Sequence, residues 1–516
     1  MPLRAQLLDL ASRASPVVCD NLDRYGDSTV LELLADVRHS HGDSLQPRDD
    51  LFDAVYEQAV PHYGPQLARQ AVDELRADPV IPTSNHYGID TFADSVQGTV
   101  LFALRPTATG TRRRTVVVLG GATVSLNNLT YPMGLLLYDH GEDAVATLPR
   151  RVAILPRRGR RATVRSAPPI DAAMVRRAGD RLHAMRRTGA LSAFGEQAAG
   201  AVLEELTPDT LSVPSYGHQA TRINTQLWRR LFHGGVPIAD VLQLELEATA
   251  TALIDRDLSD SSSLLHQLLF TGRLRDALLA ALDGARACWC LDGLQQRLGA
   301  SLDDATSRDG TVFFWGLNED GRRVPLTLLR RGTDLILAGI DERRRAYSCI
   351  FHPEELRAAL HTGVLVPSLF TCYVALAFAR GLVCVGGYYQ VAYLPVMQRA
   401  IVDVLHAENP RGAVLISQVP TDICLAGLQF CGRILPGVGA IPAGPVEIGG
   451  AGGLTGEDLD AVRALSVPEA HLASFAETLP HMAGGASLPQ DWSARLAADN
   501  AGGSRGIVRL RGESRQ

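Results

Sequence analysis

The spacing of apolar residues changes along this 516-residue chain, and the change constrains the fold more than any other feature. In residues 311–351 apolar and polar side chains alternate, and the charged segments 318–321 and 341–345 interrupt the alternation. This pattern predicts an antiparallel meander of strands joined by charged turns. Elsewhere the spacing is mainly helical, except that the β-branched run at 115–119 predicts a buried strand. We therefore predict an α+β protein that is rich in helices, with a mixed sheet in its first half and the antiparallel meander near 311–351.

Composition predicts five regions along the chain. Pro79 and Pro82 break the first series of helical patterns, and a composition rich in Gly, Ser and Arg indicates a loose C-terminal end. The apolar run at 412–416 predicts a short strand. The regions are an N-terminal helical region (1–78), an α/β region (79–190), a second helical region (191–300), an α+β region (301–483) and a flexible tail (484–516).

One apolar segment must be compared with membrane helices. Residues 364–379 form an apolar run that contains a proline and is shorter than the roughly 20 residues of a spanning helix. We therefore predict a buried core helix there and no membrane span. The N-terminal apolar positions are interrupted by charges, unlike those of a signal peptide, and the eight cysteines form no C-x-x-C pair. These features predict a cytoplasmic protein with reduced thiols and no metal site.

Lysine is absent, because all 50 residues counted as lysine or arginine are arginines. Chemistry that depends on a lysine amine is therefore excluded. This applies to a Schiff base with pyridoxal phosphate and to lysine-dependent aldolases. It also applies to the Walker A loop and to the protein-kinase core. The formal net charge of −6 argues further against a general nucleic-acid-binding protein.

The sharpest local signal for chemistry is the hexapeptide Asn85-His86-Tyr87-Gly88-Ile89-Asp90. An imidazole can accept a proton at neutral pH, and a carboxylate four residues later can orient the ring or fix the loop. We therefore predict that His86 is a general base, that Asp90 supports it and that Asn85 contacts the substrate. The alternative is a hydrogen-bonded loop histidine without a catalytic role.

These residues resemble the H-x-x-x-D signature of the chloramphenicol-acetyltransferase-like acyltransferases. They are also similar to a form of the N-H-x-x-x-x-D motif of glycerolipid acyltransferases that is one residue short. The first resemblance implies that His86 deprotonates the acceptor and that Asp90 is mainly structural. The likeness covers six residues, and segment 313–316 lacks the Asp of a D-F-G-W-G element.

Two further segments predict contacts with a donor or a substrate. Small and amide residues follow the strand at 115–119, where backbone N–H groups are left free, so Asn127 and Asn128 are candidate substrate contacts. Residues 150–187 contain twelve arginines and two aspartates, and guanidinium groups suit phosphates and carboxylates. The alternatives are a plain turn and a solvated basic surface. The predicted phosphate-binding residues are Arg157, Arg158, Arg160 and Arg161.

A third segment combines glycines with polar aromatic residues. Two glycines precede Tyr388, Tyr389 and Gln390 in an apolar setting, which predicts a pocket wall with a few polar contacts to substrate. The alternative is ordinary core packing.

Together these signals lead to the hypothesis of a biosynthetic transferase. The reaction is acyl transfer to a small amine or hydroxyl acceptor, with CoA or phosphopantetheine on an acidic carrier protein as the donor, and no other cofactor is predicted. One alternative is a non-catalytic protein that binds a small ligand or an acidic partner. Another is a metal- or redox-dependent enzyme that uses scattered histidines.

Overall fold

The computed structural model describes residues 2–37, 45–107, 110–128, 133–139, 149–299, 309–435, 438–482, 488–489, 491–502 and 507–510. Helices hold most of these residues, and parallel and antiparallel sheets hold the strands, so the predicted α+β class is confirmed. The helices are α1 (Leu3–Ala14), α2 (Pro16–Tyr25), α3 (Val30–Asp36), α4 (Asp49–Ala77), α5 (Ala93–Leu104), α6 (Ala172–Arg187), α7 (Ala193–Glu204), α8 (Pro208–Leu211), α9 (Tyr216–Arg230), α10 (Leu246–Ser259), α11 (Leu264–Phe270), α12 (Gly272–Ala281), α13 (Leu291–Gly299), α14 (Pro353–His361), α15 (Leu369–Tyr373), α16 (Tyr388–Leu405), α17 (Pro410–Ser417), α18 (Pro445–Gly450), α19 (Gly456–Arg463), α20 (Val467–Met482) and α21 (Trp492–Gly502).

The strands are short and come from most parts of the chain. They are β1 (Val80–Pro82), β2 (Thr115–Gly120), β3 (Gly134–Leu137), β4 (Arg150–Ala153), β5 (Asp240–Glu245), β6 (Phe314–Leu317), β7 (Arg323–Pro325), β8 (Thr327–Arg331), β9 (Asp334–Ile340), β10 (Ala346–Ile350), β11 (Leu365–Pro367), β12 (Val383–Gly387), β13 (Cys424–Ala426), β14 (Cys431–Leu435), β15 (Gly439–Pro442) and β16 (Val508–Leu510).

Five parallel strands lie at the centre of the fold. β2 pairs with β5, and β1 pairs with β12, which in turn pairs with β13. The chain leaving β1 joins the two sets, because His86 forms a parallel bridge with Gly121, the residue after β2. The strand order is therefore β5–β2–β1–β12–β13. Starting from β1, the chain adds β2 and then β5 on one side of that strand, and later adds β12 and then β13 on its other side. The order in which strands are added therefore reverses between β1 and β12.

Helices cover both faces of these strands. α4, α10 and α16 pack on the face that presents Leu119 and Leu244, whereas α5 and α9 pack on the face that presents Val118 and Val385. A parallel strand that is buried on both faces consists of consecutive apolar residues instead of alternating ones. Burial of β2 on both faces therefore explains why the run at 115–119 is continuous instead of alternating.

Antiparallel sheets surround the parallel strands, and the predicted meander is one of them. β8, β9 and β10 pair in sequence, and β6 pairs with β7 and β11. The expected strand at 412–416 is instead part of α17, whose first turn begins with Pro410 and is capped by the Asn409 side chain. Within residues 484–516, expected to be a flexible tail, the structure has α21 and β16, and β16 pairs in parallel with β14.

The apolar segment at 364–379 is mostly buried, with Val364 exposed, but it is not one helix. It contains β11, α15 and a π-helical turn at Val374–Phe378. Among the helices that the structure describes, none combines the length and the apolar character needed to cross a membrane.

Candidate functional site

The carboxyl ends of the parallel strands bring several of the predicted segments together. β1 continues into the loop with His86, β2 continues into the turn at Gly121, and β12 continues into the start of α16. β5 ends at Glu245, beside Gly120. Ligands of open α/β sheets bind at this edge, near the point where the strand order reverses. A ligand site is therefore expected at this edge.

His86 lies at this edge in an extended segment that is held by its backbone. Tyr87 N donates to Gly121 O at 2.9 Å, and Gly121 N donates to Asn85 O at 3.0 Å. The carbonyl of His86 accepts from Gln243 Nε2 at 3.1 Å. The side chain is half-buried, and desolvation lowers the pKa of the imidazole to about 4. The ring is therefore neutral at physiological pH and has a lone pair that can accept a proton.

Asp90 holds the loop together. Its carboxylate accepts from Asn85 Nδ2 at 2.9 Å, from Ser95 Oγ at 2.8 Å and from Phe92 N at 3.2 Å. Its own N–H donates to Asn224 Oδ1 at 3.0 Å, which ties the loop to α9. Burial raises the pKa of the Asp90 carboxyl, in spite of these hydrogen bonds. These contacts fix the loop that carries His86.

A small cavity of about 40 Å³ lies behind the loop, between the sheet and helices α5 and α9. Its polar lining includes Asn85, Asp90 and Gln243, and Trp228 contributes to its apolar lining. Asn85 is 6% exposed, and its Oδ1 has no hydrogen-bond partner among the described residues. His86 is not in the lining, because side chains alternate along an extended segment and Asn85 faces the cavity. The cavity and the imidazole are thus on opposite sides of the loop.

Glu245 is an ionisable residue of this edge that the sequence analysis did not select. It lies one alternation beyond Gln243, on the face of β5 that lines the cavity, and forms an ion pair with Arg165. Burial raises the pKa of Glu245 to about 7, although Arg165 opposes that shift. A carboxyl with this pKa exchanges a proton near neutral pH. Its position depends on the pairing of β5 with β2, which no local pattern shows.

Glu247 was also missed, and it fixes the turn that follows β2. Its buried carboxylate accepts from Ala122 N at 2.8 Å, from Thr123 N at 3.0 Å and from Thr123 Oγ1 at 2.6 Å. A Cβ atom added to Gly121, the bridge partner of His86, would lie 3.9 Å from Glu247 Oε1. The carboxylate thus lies close to the backbone that pairs with the histidine.

The predicted phosphate-binding arginines are exposed, on and beside a 3-10 turn at Arg157–Gly159. This segment is attached to the turn after β2. Leu126 N donates to Ala162 O at 2.9 Å, and Ser125 and Thr163 form an isolated antiparallel β-bridge. Asn127, which is exposed and accepts from Ser125 Oγ at 2.6 Å, and the half-buried Asn128 come next in that turn. The structure therefore places two predicted contact segments side by side. The four arginines are Arg157, Arg158, Arg160 and Arg161.

The three residues predicted to form a pocket wall have different surroundings. Gln390 is buried, and its Oε1 accepts from Thr83 Oγ1 at 2.9 Å and from Tyr373 Oη at 2.8 Å. Tyr388 donates to a backbone carbonyl at 2.9 Å, and only Tyr389 is exposed. Gln390 thus links β1 to the start of α16, and two of the three polar groups already have protein partners.

Comparison of the whole chain with protein-family models, with curated proteins and with solved structures finds no match of any kind. Within the described ranges, no three His, Cys, Asp or Glu side chains are placed to hold a metal ion. A fold alone does not define an activity, so the chemical groups at and beside the carboxyl edge are the basis for a function. Those groups are a neutral imidazole, a carboxyl with a pKa of about 7 and exposed guanidinium groups.

Proposed function

We propose that the chain is a transferase that moves an acyl group from a phosphate-bearing thioester donor to a small amine or hydroxyl acceptor. The observation that carries this proposal is the bridge between His86 and Gly121, which holds a neutral imidazole at the carboxyl edge of the parallel sheet. Asp90 supports the proposal because its hydrogen bonds fix the loop from both sides. The exposed arginines beside Asn127 supply positive charge for the phosphates of the donor.

The proposed reaction needs one proton acceptor. His86 takes the proton of the acceptor N–H or O–H group while the lone pair of the acceptor nitrogen or oxygen attacks the thioester carbonyl carbon. The new C–N or C–O bond forms, the C–S bond breaks, and the thiolate leaves with the electron pair of that bond. The imidazolium of His86 then returns its proton to the sulfur, so the ring is neutral again at the end of the cycle.

The test is turnover of acyl-CoA thioesters with a panel of amines and alcohols, followed by mass spectrometry. His86→Gln keeps the size and polarity of the side chain but removes the base, so turnover should fall by about 10² to 10⁴. His352→Gln is the matched control, because His352 is exposed and lies at the end of the meander. If His86 is the base, its titration should not lower kcat/KM between about pH 5 and 7. Its pKa is about 4, so the imidazole is already deprotonated throughout that range. Full turnover in His86→Gln would remove the proposed role.

A different result would identify another base. If His86→Gln retains turnover and Glu245→Gln abolishes it, the proton acceptor is Glu245, whose pKa of about 7 lies closer to the working pH. In that case kcat/KM should decrease as the pH falls through 7, and this limb should vanish in Glu245→Gln.

A binding protein is the second candidate function. It is supported by Asn85 Oδ1, which lines the cavity and has no hydrogen-bond partner among the described residues, and by exposed arginines that no described carboxylate neutralises. This candidate predicts binding of anionic ligands without turnover of any thioester donor.

A further inference from the structure

The exposed arginines of residues 150–187 lie on two neighbouring segments, the 3-10 turn with its flanks and α6. We define the basic face as the eight exposed arginines on and beside the 3-10 turn and on α6. None of their side chains forms an ion pair or a hydrogen bond with any residue that the structure describes. The two parts of the face are linked, because Arg181 of α6 donates to Ala153 O at 2.6 Å, just before the turn. The eight residues are Arg157, Arg158, Arg160, Arg161, Arg176, Arg177, Arg186 and Arg187.

Charge is distributed unevenly between this segment and the rest of the chain. Twelve arginines and two aspartates give residues 150–187 a formal charge of +10, which leaves −16 for the other residues, since the whole chain carries −6. Of the two aspartates, Asp171 is occupied as the cap of α6, where it accepts from Met174 N at 2.7 Å. Asp180 is therefore the one carboxylate of the segment without such a role, and the positive charge of the face is almost uncompensated within it.

We propose that the basic face binds an acidic protein, which docks along α6 through Asp and Glu side chains and carries the donor group. α6 has 16 residues and is therefore about 24 Å long, enough to contact one helix of a small partner. Guanidinium groups bind carboxylates through two parallel hydrogen bonds, so they can hold such a helix specifically. That the partner carries an acyl donor rests on the proposed transfer reaction, whereas its binding can be measured without turnover.

The charge distribution selects a compact partner over an extended polyanion. A small acidic protein can contact the basic face alone. A membrane surface or a nucleic-acid duplex extends further and meets the rest of the molecule, which carries −16. At physiological salt charges act over about 8 Å, so the repulsion is felt wherever the polyanion passes the edge of the face.

The position of the face also suits the delivery of a donor to the carboxyl edge. The 3-10 turn belongs to the segment that is hydrogen-bonded to the turn after β2, and Gly121 of that turn pairs with His86. A partner on α6 would thus present a flexible donor arm beside the segment that contains Asn127. The site and the docking surface are adjacent in the fold although their residues are far apart in the sequence.

The test is isothermal titration calorimetry of the full chain with an acyl carrier protein, which is small, acidic and helical. Binding should weaken about tenfold in Arg176→Glu/Arg177→Glu and should weaken similarly when salt is raised from about 50 to 300 mM. Arg330→Glu/Arg331→Glu is the matched control, because these two arginines are also adjacent and exposed and have no side-chain partner among the described residues, but lie on β8. The control should bind as the unchanged chain does.

Three results would overturn the inference. They are no binding of the carrier protein at low salt, equal binding by Arg176→Glu/Arg177→Glu, and tighter binding of a short DNA duplex or of vesicles with anionic lipid. His86→Gln separates the two proposals, because it should abolish transfer but leave carrier binding unchanged. Carrier binding without transfer would contradict the proposed transferase activity but support the docking surface. Transfer from free CoA thioesters without carrier binding would support the transferase activity but contradict the docking surface.

Discussion

Arginine has two different environments in this lysine-free chain. Arg380 has no exposed surface, and its guanidinium contacts the carboxylates of Asp50 and Asp257 with distances of 2.9 to 3.0 Å. The arginines of the basic face are exposed and contact no described carboxylate. Burying a charge is costly unless a partner neutralises it, so the buried guanidinium needs its aspartates for folding. The exposed arginines have no such structural requirement and are available for a ligand.

Carboxyl groups that are half-buried or buried differ in a related way. Burial alone would raise the pKa of Asp50, but the hydrogen bonds and charge of Arg380 outweigh burial and lower it. No arginine in the part of the chain that the structure describes contributes to the pKa of Asp94 or Glu477, and burial raises the pKa of Asp94 to about 7 and that of Glu477 to about 8. Arg380 thus keeps Asp50 ionised, whereas burial favours the protonated carboxyl at Asp94 and Glu477, and at Glu245 burial outweighs the opposing charge of Arg165. The following changes test this contrast.

The largest effect is expected from Asp78→Ala. Asp78 is 5% exposed and is the partner of two buried arginines, Arg105 at 2.8 Å and Arg113. Its removal takes away the carboxylate that both buried guanidinium groups share in the described structure, and the free energy of unfolding should fall by about 3 to 5 kcal/mol. Urea unfolding measures the change. Asp240→Ala, at an exposed position at the start of β5, should change it by no more than about 0.5 kcal/mol. Equal losses in both variants would contradict the assigned role of the pair.

A smaller effect is expected from the pH dependence of stability. Glu477 accepts from Gln429 Nε2 at 2.7 Å, and its folded pKa of about 8 exceeds the usual value near 4.5. Between these two values the folded chain binds more protons than the unfolded chain, so stability falls as the pH rises. The loss is at most about 1.4 kcal/mol per pH unit for this group. Glu477→Gln should flatten the curve between pH 5 and 8, whereas Glu457→Gln, at an exposed position, should leave it unchanged. An identical slope in all three proteins would show that Glu477 is ionised in the fold.

Local patterns predicted part of this fold correctly. Alternation predicted the meander, and the β-branched run predicted β2, because both signals lie within a few residues. Residues 412–416 were assigned to a strand because a short apolar run fits a strand and a helix equally well. Asn409 and Pro410, a helix cap and a first-turn proline, were the signal for α17 that the apolar run concealed.

At the site, local sequence patterns predict some of the residues but not the surroundings that those residues share. The loop from Asn85 to Asp90 was identified from its own residues, and its internal hydrogen bonds are local. Glu245 could not be identified, because its raised pKa depends on burial and on pairing between strands that are far apart in the sequence. Tyr388 and Gln390 were grouped as one wall, but they begin a helix, in which successive side chains point about 100° apart. A sequence shows which groups are present, whereas their common surroundings depend on long-range packing.

The smallest effect is expected on the basic face itself. Arg177 and Arg181 are four residues apart on α6 and both exposed, so their charges repel each other across one helical turn. Asp180, three residues from Arg177, attracts it by a similar amount, so Arg177→Gln should change the free energy of unfolding by no more than about 0.3 kcal/mol at low salt and by less at high salt, where both interactions are screened. Arg330→Gln on β8 is the control for the loss of one exposed charge. A loss of more than about 0.5 kcal/mol in Arg177→Gln would mean that the fold itself needs this arginine. The distinction between buried arginines that stabilise the core and exposed arginines that are available to bind a partner would then no longer hold.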